Sequence, residues 1–285
     1  MNLLEHTAPF DWSQIQADVA ETGGVIVKQL FSPDQVDRFT KESDAWLSTH
    51  RGAGLPQSGS DVYDRFLGQG TLRLQGLLEK LACAPEWIAR PELVSWVRNT
   101  MQPISTSVLL NAAELIQIGP GEPRQYLHRD SDSWPIAAVG DTPIVMNALI
   151  ALDPFTEQNG ATHVVPFSWQ WDKDRRAMPE EFTRAVMAPG DALLFRGDIL
   201  HGGGANESGE PRRGLSITYC AGWLRPVENS FLNLSRATVL SLPPELLDLT
   251  GFSMYDGSEH NGGLLGLHEN TDPRNLLQQS LPEGG

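Results

Sequence analysis

The chain has 285 residues, 40% of them hydrophobic and 20% charged, and a formal net charge of −15. This is enough chain for one large domain or two small ones in an ordinary globular protein. So acidic a balance lacks the cations that displace counterions from nucleic acid, and it disfavours a strongly anionic substrate unless a local basic pocket overrides the global field. No apolar run approaches the length of a membrane span, and the acidic opening MNLLEHTAPFDWSQ does not read as a signal peptide. The only two cysteines, Cys83 and Cys220, have no zinc spacing. The expectation is therefore a reducing, cytoplasmic setting without a disulfide scaffold.

Residues 1–103 read as mainly helical. A turn at Gly23-Gly24 precedes a short strand, Val25-Ile26-Val27. Ser32-Pro33-Asp34-Gln35 is a helix start, with Ser as N-cap, Pro in the first turn and Gln closing a capping box. Val36, Phe39, Trp46 and Leu47 follow on one helical face. Leu74, Leu77, Leu78 and Leu81 suggest a second face, and Pro91 opens a third helix through Leu93, Val94, Trp96 and Val97.

From 104 to 223 short strands alternate with turns. The clearest are 104–110, 114–118, 144–152, 162–165, 192–195 and 214–221, with turns at Gly119-Pro120-Gly121, Asn159-Gly160, Pro189-Gly190-Asp191 and Gly202-Gly203-Gly204. This spacing suggests a sandwich or barrel, with a jelly roll among the options. Residues 224–285 hold one helix candidate, 243–249, then Gly- and Asn-rich loops and a frayed SLPEGG end.

His128-Arg129-Asp130 is the most informative local pattern. On an extended chain residues i and i+2 project from one face, so both side chains reach one ion. Alone the pair is weak, because a surface His and Asp on a loop would look the same. His201 follows an apolar strand and precedes three glycines, a placement that lets an imidazole face a cavity; a satisfied turn histidine is the alternative. Two imidazoles and a carboxylate form the facial triad of a non-haem Fe(II) site. Arg212, eleven residues after His201, opens a β-rich run and suits a carboxylate with two parallel hydrogen bonds. Arg213 reads as a solvated surface arginine. Gln125 and Thr162 have the chemistry to hydrogen-bond a small dicarboxylate, against turn and edge-strand roles.

The order H-x-D, N-G-x-T, H and then R resembles the phytanoyl-CoA dioxygenase family of Fe(II)/2-oxoglutarate oxygenases. The QYLHRD-x-x-x-W and RGDILHGGGANESGEPRRG stretches are similar to members that tailor meroterpenoids and alkaloids. The resemblance implies a mainly β fold with flanking helices, a double-stranded β-helix (jelly-roll, cupin-like) core, within one domain over 1–285. It implies that His128, Asp130 and His201 ligate Fe(II), that Arg212 clamps the distal carboxylate of 2-oxoglutarate, and that Gln125 and Thr162 assist. With O2 as co-reactant, the implied activity is oxidation of an unactivated C–H bond of a small apolar natural product, with release of succinate. The retained Asp130 favours hydroxylation, desaturation or rearrangement over halogenation, which needs a small residue there. Where the family continues to a Pro-Gly-Ser-His run, this chain has Val164-Val165-Pro166-Phe167-Ser168-Trp169, a departure that bears on substrate. The resemblance also implies a homodimer. An acyl-CoA substrate and a non-catalytic jelly-roll binder are the competing readings. A zinc hydrolase is disfavoured because no H-E-x-x-H-like base accompanies the ligands.

Of the other residues, His163 should alternate away from Thr162 and face outward. His260 and His268 lack ligand spacing, and Asp132 reads as a turn acid. Trp134, Trp169, Trp171 and Trp223 offer apolar surface. Trp134 is the best substrate-pocket candidate because it follows the metal motif. Gly202-Gly203-Gly204 lacks the context of a phosphate loop.

Overall fold

A computed structural model describes residues 2–55 and 58–279; the SLPEGG end lies outside the described residues. In chain order the strands are β1 (Leu4–His6), β2 (Gly24–Val27), β3 (Thr71–Leu74), β4 (Val108–Ile118), β5 (Ala138–Val139), β6 (Thr142–Pro143), β7 (Val145–Ala151), β8 (Thr162–Val164), β9 (Thr183–Ala185), β10 (Ala192–Arg196), β11 (His201–Gly202), β12 (Arg212–Ala221), β13 (Tyr255–Asp256) and β14 (Leu264–Leu265). A seven-stranded sheet runs β1-β2-β10-β7-β12-β4-β3, and a three-stranded sheet runs β11-β8-β9. The β1–β2 pair is parallel and the other pairs of the large sheet are antiparallel. Together they form a jelly-roll core.

Alternation along the strands divides the large sheet into two faces. Leu149, Leu193 and Phe195 point toward the small sheet, where they meet Phe155, Val164 and Ile199. Ala148, Ile150, Leu194, Leu215, Ile217 and Tyr219 point to the opposite face and pack with the helices. The helical layer includes α1 (Trp12–Thr22), α2 (Pro33–Thr49), α3 (Asp61–Leu67), α4 (Leu77–Lys80), α5 (Ala84–Ile88) and α6 (Pro91–Met101). Trp87 and Phe31 stack 4.0 Å apart in this layer, and the buried Tyr219 hydroxyl donates to Ile88 O at 2.7 Å. Truncating a buried aromatic such as Trp87 costs about 3–5 kcal/mol. Among the described residues no helix is long and apolar enough to cross a membrane.

The capping box of α2 forms as the sequence suggests: Ser32 Oγ accepts from Gln35 N, and Gln35 Oε1 accepts from Ser32 N at 3.0 Å. Elsewhere tertiary pairing overrides local pattern. Leu74 ends β3 and only Leu77–Lys80 is helical, because the 71–74 stretch pairs with β4. The two strands expected at 104–110 and 114–118 are one strand, β4. A register shift at Thr218/Tyr219 leaves Asn111 unopposed. This bulge lets the Asn111 side chain accept from Val227 N at 2.8 Å while its Nδ2 donates to Thr218 Oγ1. The helix expected at 243–249 is Pro244–Leu249, and Ser230–Asn233, Arg236–Ser241 and Pro273–Gln279 are also helical.

Candidate metal centre

His128 and His201 face each other across an antiparallel bridge. His128 N donates to His201 O at 2.9 Å and His201 N to His128 O at 3.0 Å. Directly paired residues share a face, and the two rings lie 4.5 Å apart. Arg129 keeps extended backbone, φ −115° and ψ 133°, before a 3-10 turn begins at Asp130. The Asp130 carboxylate therefore lands on the same side. Its Oδ1 is 3.5 Å from His128 Nε2 and its Oδ2 is 3.6 Å from His201 Nε2.

Both imidazoles are oriented in the same way. His128 Nδ1 lies 3.2 Å from Tyr126 O and His201 Nδ1 lies 3.1 Å from Ile199 O. A carbonyl only accepts, so each Nδ1 carries a proton, and each Nε2 is the atom that can turn a lone pair to a cation. Cis ligands about 2.1 Å from an ion stand about 3 Å apart. The three ligand atoms, all within 4.8 Å of one another, approach that spacing. The donor set, two imidazoles and one carboxylate, fits a facial-triad iron.

The protonation states suit a cation. Burial pushes His201 down to about 4, against the pull of Asp130 and helped by the charge of His128. Burial works against ionisation of Asp130, but the neighbouring histidines and the Asn147 hydrogen bond hold its carboxyl at about 2. At neutral pH the site thus holds a carboxylate and a neutral His201. Asn147, fully buried on β7, donates from Nδ2 to Asp130 Oδ2 at 2.9 Å. Its Oδ1 has no partner among the described residues.

Arg212 opens β12 and is 2% exposed. Its Nη2 donates to Gly160 O, and its guanidinium lies 3.9 Å over the Phe155 ring. Gly160 has φ +88°, and a Cβ there would stand 2.7 Å from Gly204 O. Only glycine lets this turn approach. Burial, helped by the charge of Arg73, lowers Arg212 to about 9, so it stays charged at neutral pH. Its Nε is buried without a partner. A buried charge left so is unfavourable until an anion meets it, which fits a carboxylate of 2-oxoglutarate.

The other sequence candidates fall as follows. Thr162 is buried on β8, opposite Ala185. Gln125 bridges two backbones: Oε1 accepts from Gly203 N at 3.1 Å and Nε2 donates to Phe66 O at 3.0 Å. Trp134 lines a cleft of about 580 Å³ with Trp169 and Trp171. Arg129 and Ser131 reach that cleft, and the three candidate ligands do not line it. Arg213 corrects the sequence reading. Asp153 grips it twice at 2.9 Å and Asp44 adds a contact at 3.2 Å, leaving its side chain 21% exposed. His163 is a second correction: it points away from Thr162 but is buried, with Phe182 stacked 4.4 Å from its ring.

Two neighbours of the centre escape the sequence reading. One is Asn147. The other is Phe66 on α3, whose ring meets His128 edge-on at 4.8 Å and Tyr126 at 4.9 Å. Asn147 sits in an apolar strand with nothing local to mark it, and Phe66 precedes the motif by a long stretch of chain.

Residues 19–214 match the phytanoyl-CoA dioxygenase (PhyH) family model, a stretch holding the His128–Asp130–His201 set and Arg212. The chain belongs to that family. It is 32% identical over 257 residues to dioxygenase olcK of Penicillium canescens, covering 88% of this chain and 83% of the relative. It is 30% identical over 302 residues to the iron/alpha-ketoglutarate-dependent dioxygenase penM of Penicillium thymicola, covering 100% and 96%. Among solved structures, the non-heme alpha-ketoglutarate-dependent carbocyclase SnoK from nogalamycin biosynthesis superposes with a TM-score of 0.62 at 16% identity, over 80% of this chain and 92% of that one. The protein is an Fe(II)/2-oxoglutarate-dependent dioxygenase of a family active in secondary metabolism.

Proposed function

We propose that this dioxygenase oxidises an unactivated C–H bond of a small, largely apolar natural product, by hydroxylation, desaturation or rearrangement. In this reading His128, Asp130 and His201 hold the iron and Arg212 binds the distal carboxylate of 2-oxoglutarate. The observation that carries it is the convergence of both Nε2 atoms on Asp130, each imidazole locked through Nδ1 by a carbonyl two residues earlier. When bound, iron and 2-oxoglutarate supply the oxidising power: O2 is reduced as 2-oxoglutarate loses CO2 to become succinate, and the remaining oxidising equivalent goes to the substrate.

The residues do the rest. Asp130 supplies the negative charge and takes the position that a halide would need, which favours oxygen chemistry over halogenation. Asn147 fixes the carboxylate's orientation. Arg212, charged and with an open Nε, orients the dicarboxylate. Phe66 places an apolar ring beside His128, which suits an apolar substrate and excludes water from one side of the site.

Replacing His128 or Asp130 with Ala tests the assignment. Folded variants should form no succinate from 2-oxoglutarate, and full turnover in either would overturn the ligand set.

A further inference from the structure

A cleft of about 580 Å³ lies behind the 128–131 segment, lined by Trp134, Trp169 and Trp171 and, at its buried end, by Arg129, Ser131 and Arg196. Arg129 alternates with His128 and Asp130 on extended backbone, so its side chain leaves on the side away from the candidate ligands. None of those three ligands lines this cleft. A neighbouring cleft of about 710 Å³ is lined by His128, and Arg129, Asp132 and Lys173 line both. The two clefts therefore meet at Arg129, and the volume of each suits a small molecule.

The buried end holds a charge without a counter-ion. Arg129 is 8% exposed. Its Nε donates to Asp198 O at 2.9 Å and its Nη2 to Ser168 O at 3.0 Å, both backbone carbonyls. Among the described residues its Nη1 makes no hydrogen bond and no carboxylate forms an ion pair with it. The nearby acids are taken: Asp198 by Arg196 at 2.8 Å and Asp132 by Lys173 at 3.8 Å, while Asp141 is exposed. Ser131 is fully buried, and its Oγ has no partner among the described residues. A lone buried charge and an unmet buried hydroxyl both cost free energy until a polar group meets them. The tryptophans differ in what covers them. Arg196 lies 4.1 Å over Trp169 and Arg175 lies 3.5 Å over Trp171. Trp134 carries no cation, stacks on no ring among the described residues and packs only partly against the core. Its indole is free to take an apolar ring.

We infer that the substrate is a ring-bearing carboxylic acid anchored in this cleft. Its carboxylate takes Arg129 Nη1 and the Ser131 hydroxyl, its rings lie on Trp134, and the rest of the molecule passes Arg129 toward His128. A guanidinium hydrogen bond to a carboxylate is charge-assisted, and it neutralises the charge that the fold leaves unpaired. An indole holds an apolar ring without selecting its polar groups, so Arg129 sets which end of the molecule enters. Only the occupant's status as substrate rests on the proposed function; the anchoring itself needs no metal.

The test is calorimetric titration of the metal-free full chain with 2-naphthoate in one arm and its uncharged amide, 2-naphthamide, in the other. Wild-type protein should bind the acid with a Kd below about 1 mM, and roughly tenfold more tightly than the amide. Arg129→Gln should weaken the acid about tenfold and erase the preference, whereas mere damage to the fold would weaken both probes alike. Where that variant does not fold, Ser131→Ala should shrink the preference severalfold. Trp134→Ala should weaken both probes by a similar factor. Arg212→Ala should leave both unchanged, which separates this cleft from the cosubstrate clamp. The anchoring is overturned if wild-type binds neither probe, if it does not prefer the acid, if the preference survives Arg129→Gln, or if it disappears with Arg212→Ala. Full turnover in the His128 and Asp130 variants would instead remove the occupant's status as substrate and leave the acid preference standing, so the two failures give different patterns.

Discussion

Asn147 reaches the Asp130 oxygen that faces His201: Nδ2 donates to Oδ2 at 2.9 Å, and His201 Nε2 stands 3.6 Å from that same oxygen. The amide therefore holds the carboxylate in the orientation in which its other oxygen faces His128. Asn147→Ala should weaken Fe(II) binding by about 10–100-fold, as loss of partners behind metal ligands commonly does. Titration with Fe(II) under anaerobic conditions measures it. Affinity equal to wild-type would mean that Asp130 is held by other contacts.

Arg212 and Arg213 are adjacent and face opposite sides of β12. Arg212→Ala should raise the 2-oxoglutarate concentration needed for half-maximal succinate formation by about tenfold or more. Arg213→Ala should leave that value close to wild-type. It should lower stability by about 1 kcal/mol, a modest figure because the Asp153 and Asp44 pairs are partly solvated. Steady-state kinetics and urea denaturation separate the two effects. Equal kinetic effects would reassign the clamp.

A buried fork leads into His201. Arg196 donates from Nε and Nη2 to the two Asp198 oxygens at 2.9 and 2.8 Å, with both side chains at most 5% exposed. Asp198 O also accepts from Arg129 Nε at 2.9 Å. Arg196→Ala leaves a buried carboxylate without its partner and should cost about 3–5 kcal/mol. Adding Asp198→Ala to it should recover part of that loss. A double variant no more stable than Arg196→Ala alone would contradict the coupling.

The metal-free protein should lose stability as pH falls. His201 is held at about 4, below the ordinary value of about 6.5. The folded state therefore binds fewer protons than the unfolded state between those values. The stabilisation is fully present above about 6.5 and is lost as pH falls toward 4. Asp130, also depressed, adds a loss from about 4 toward 2. Denaturation midpoints of wild-type and His201→Gln, measured from pH 7.5 to 4, should differ in slope above pH 4. Parallel curves would remove His201 as the cause.

The candidate metal residues are legible because their signal is local. His128 and Asp130 are two apart on extended backbone, and His201 sits where a strand meets glycines. The capping box at Ser32 is legible for the same reason. Asn147 is not, since its role arises from pairing with Phe195 on β10 and Thr218 on β12. Leu74 misleads because its leucine spacing fits a helix, while the edge of β4 offers ladder hydrogen bonds that local propensity does not record. His163 misleads in a subtler way. Alternation gives its direction correctly, but the 173–182 stretch that covers it is distant in sequence. Arg213 reads as solvated until Asp153 and Asp44 are brought beside it by the fold.

β11 is only two residues long, and His128 joins it through a single bridge. The candidate metal ligands thus sit on the thinnest seam of the barrel, where little ladder holds the 125–141 stretch in place. An ion bound there acts as a rivet, closing the long chain loop between Asp130 and His201 for as long as it stays bound. Chelation should let the seam open, so that a protease nicks the 125–141 stretch sooner than the rest of the barrel, and Fe(II) should protect it.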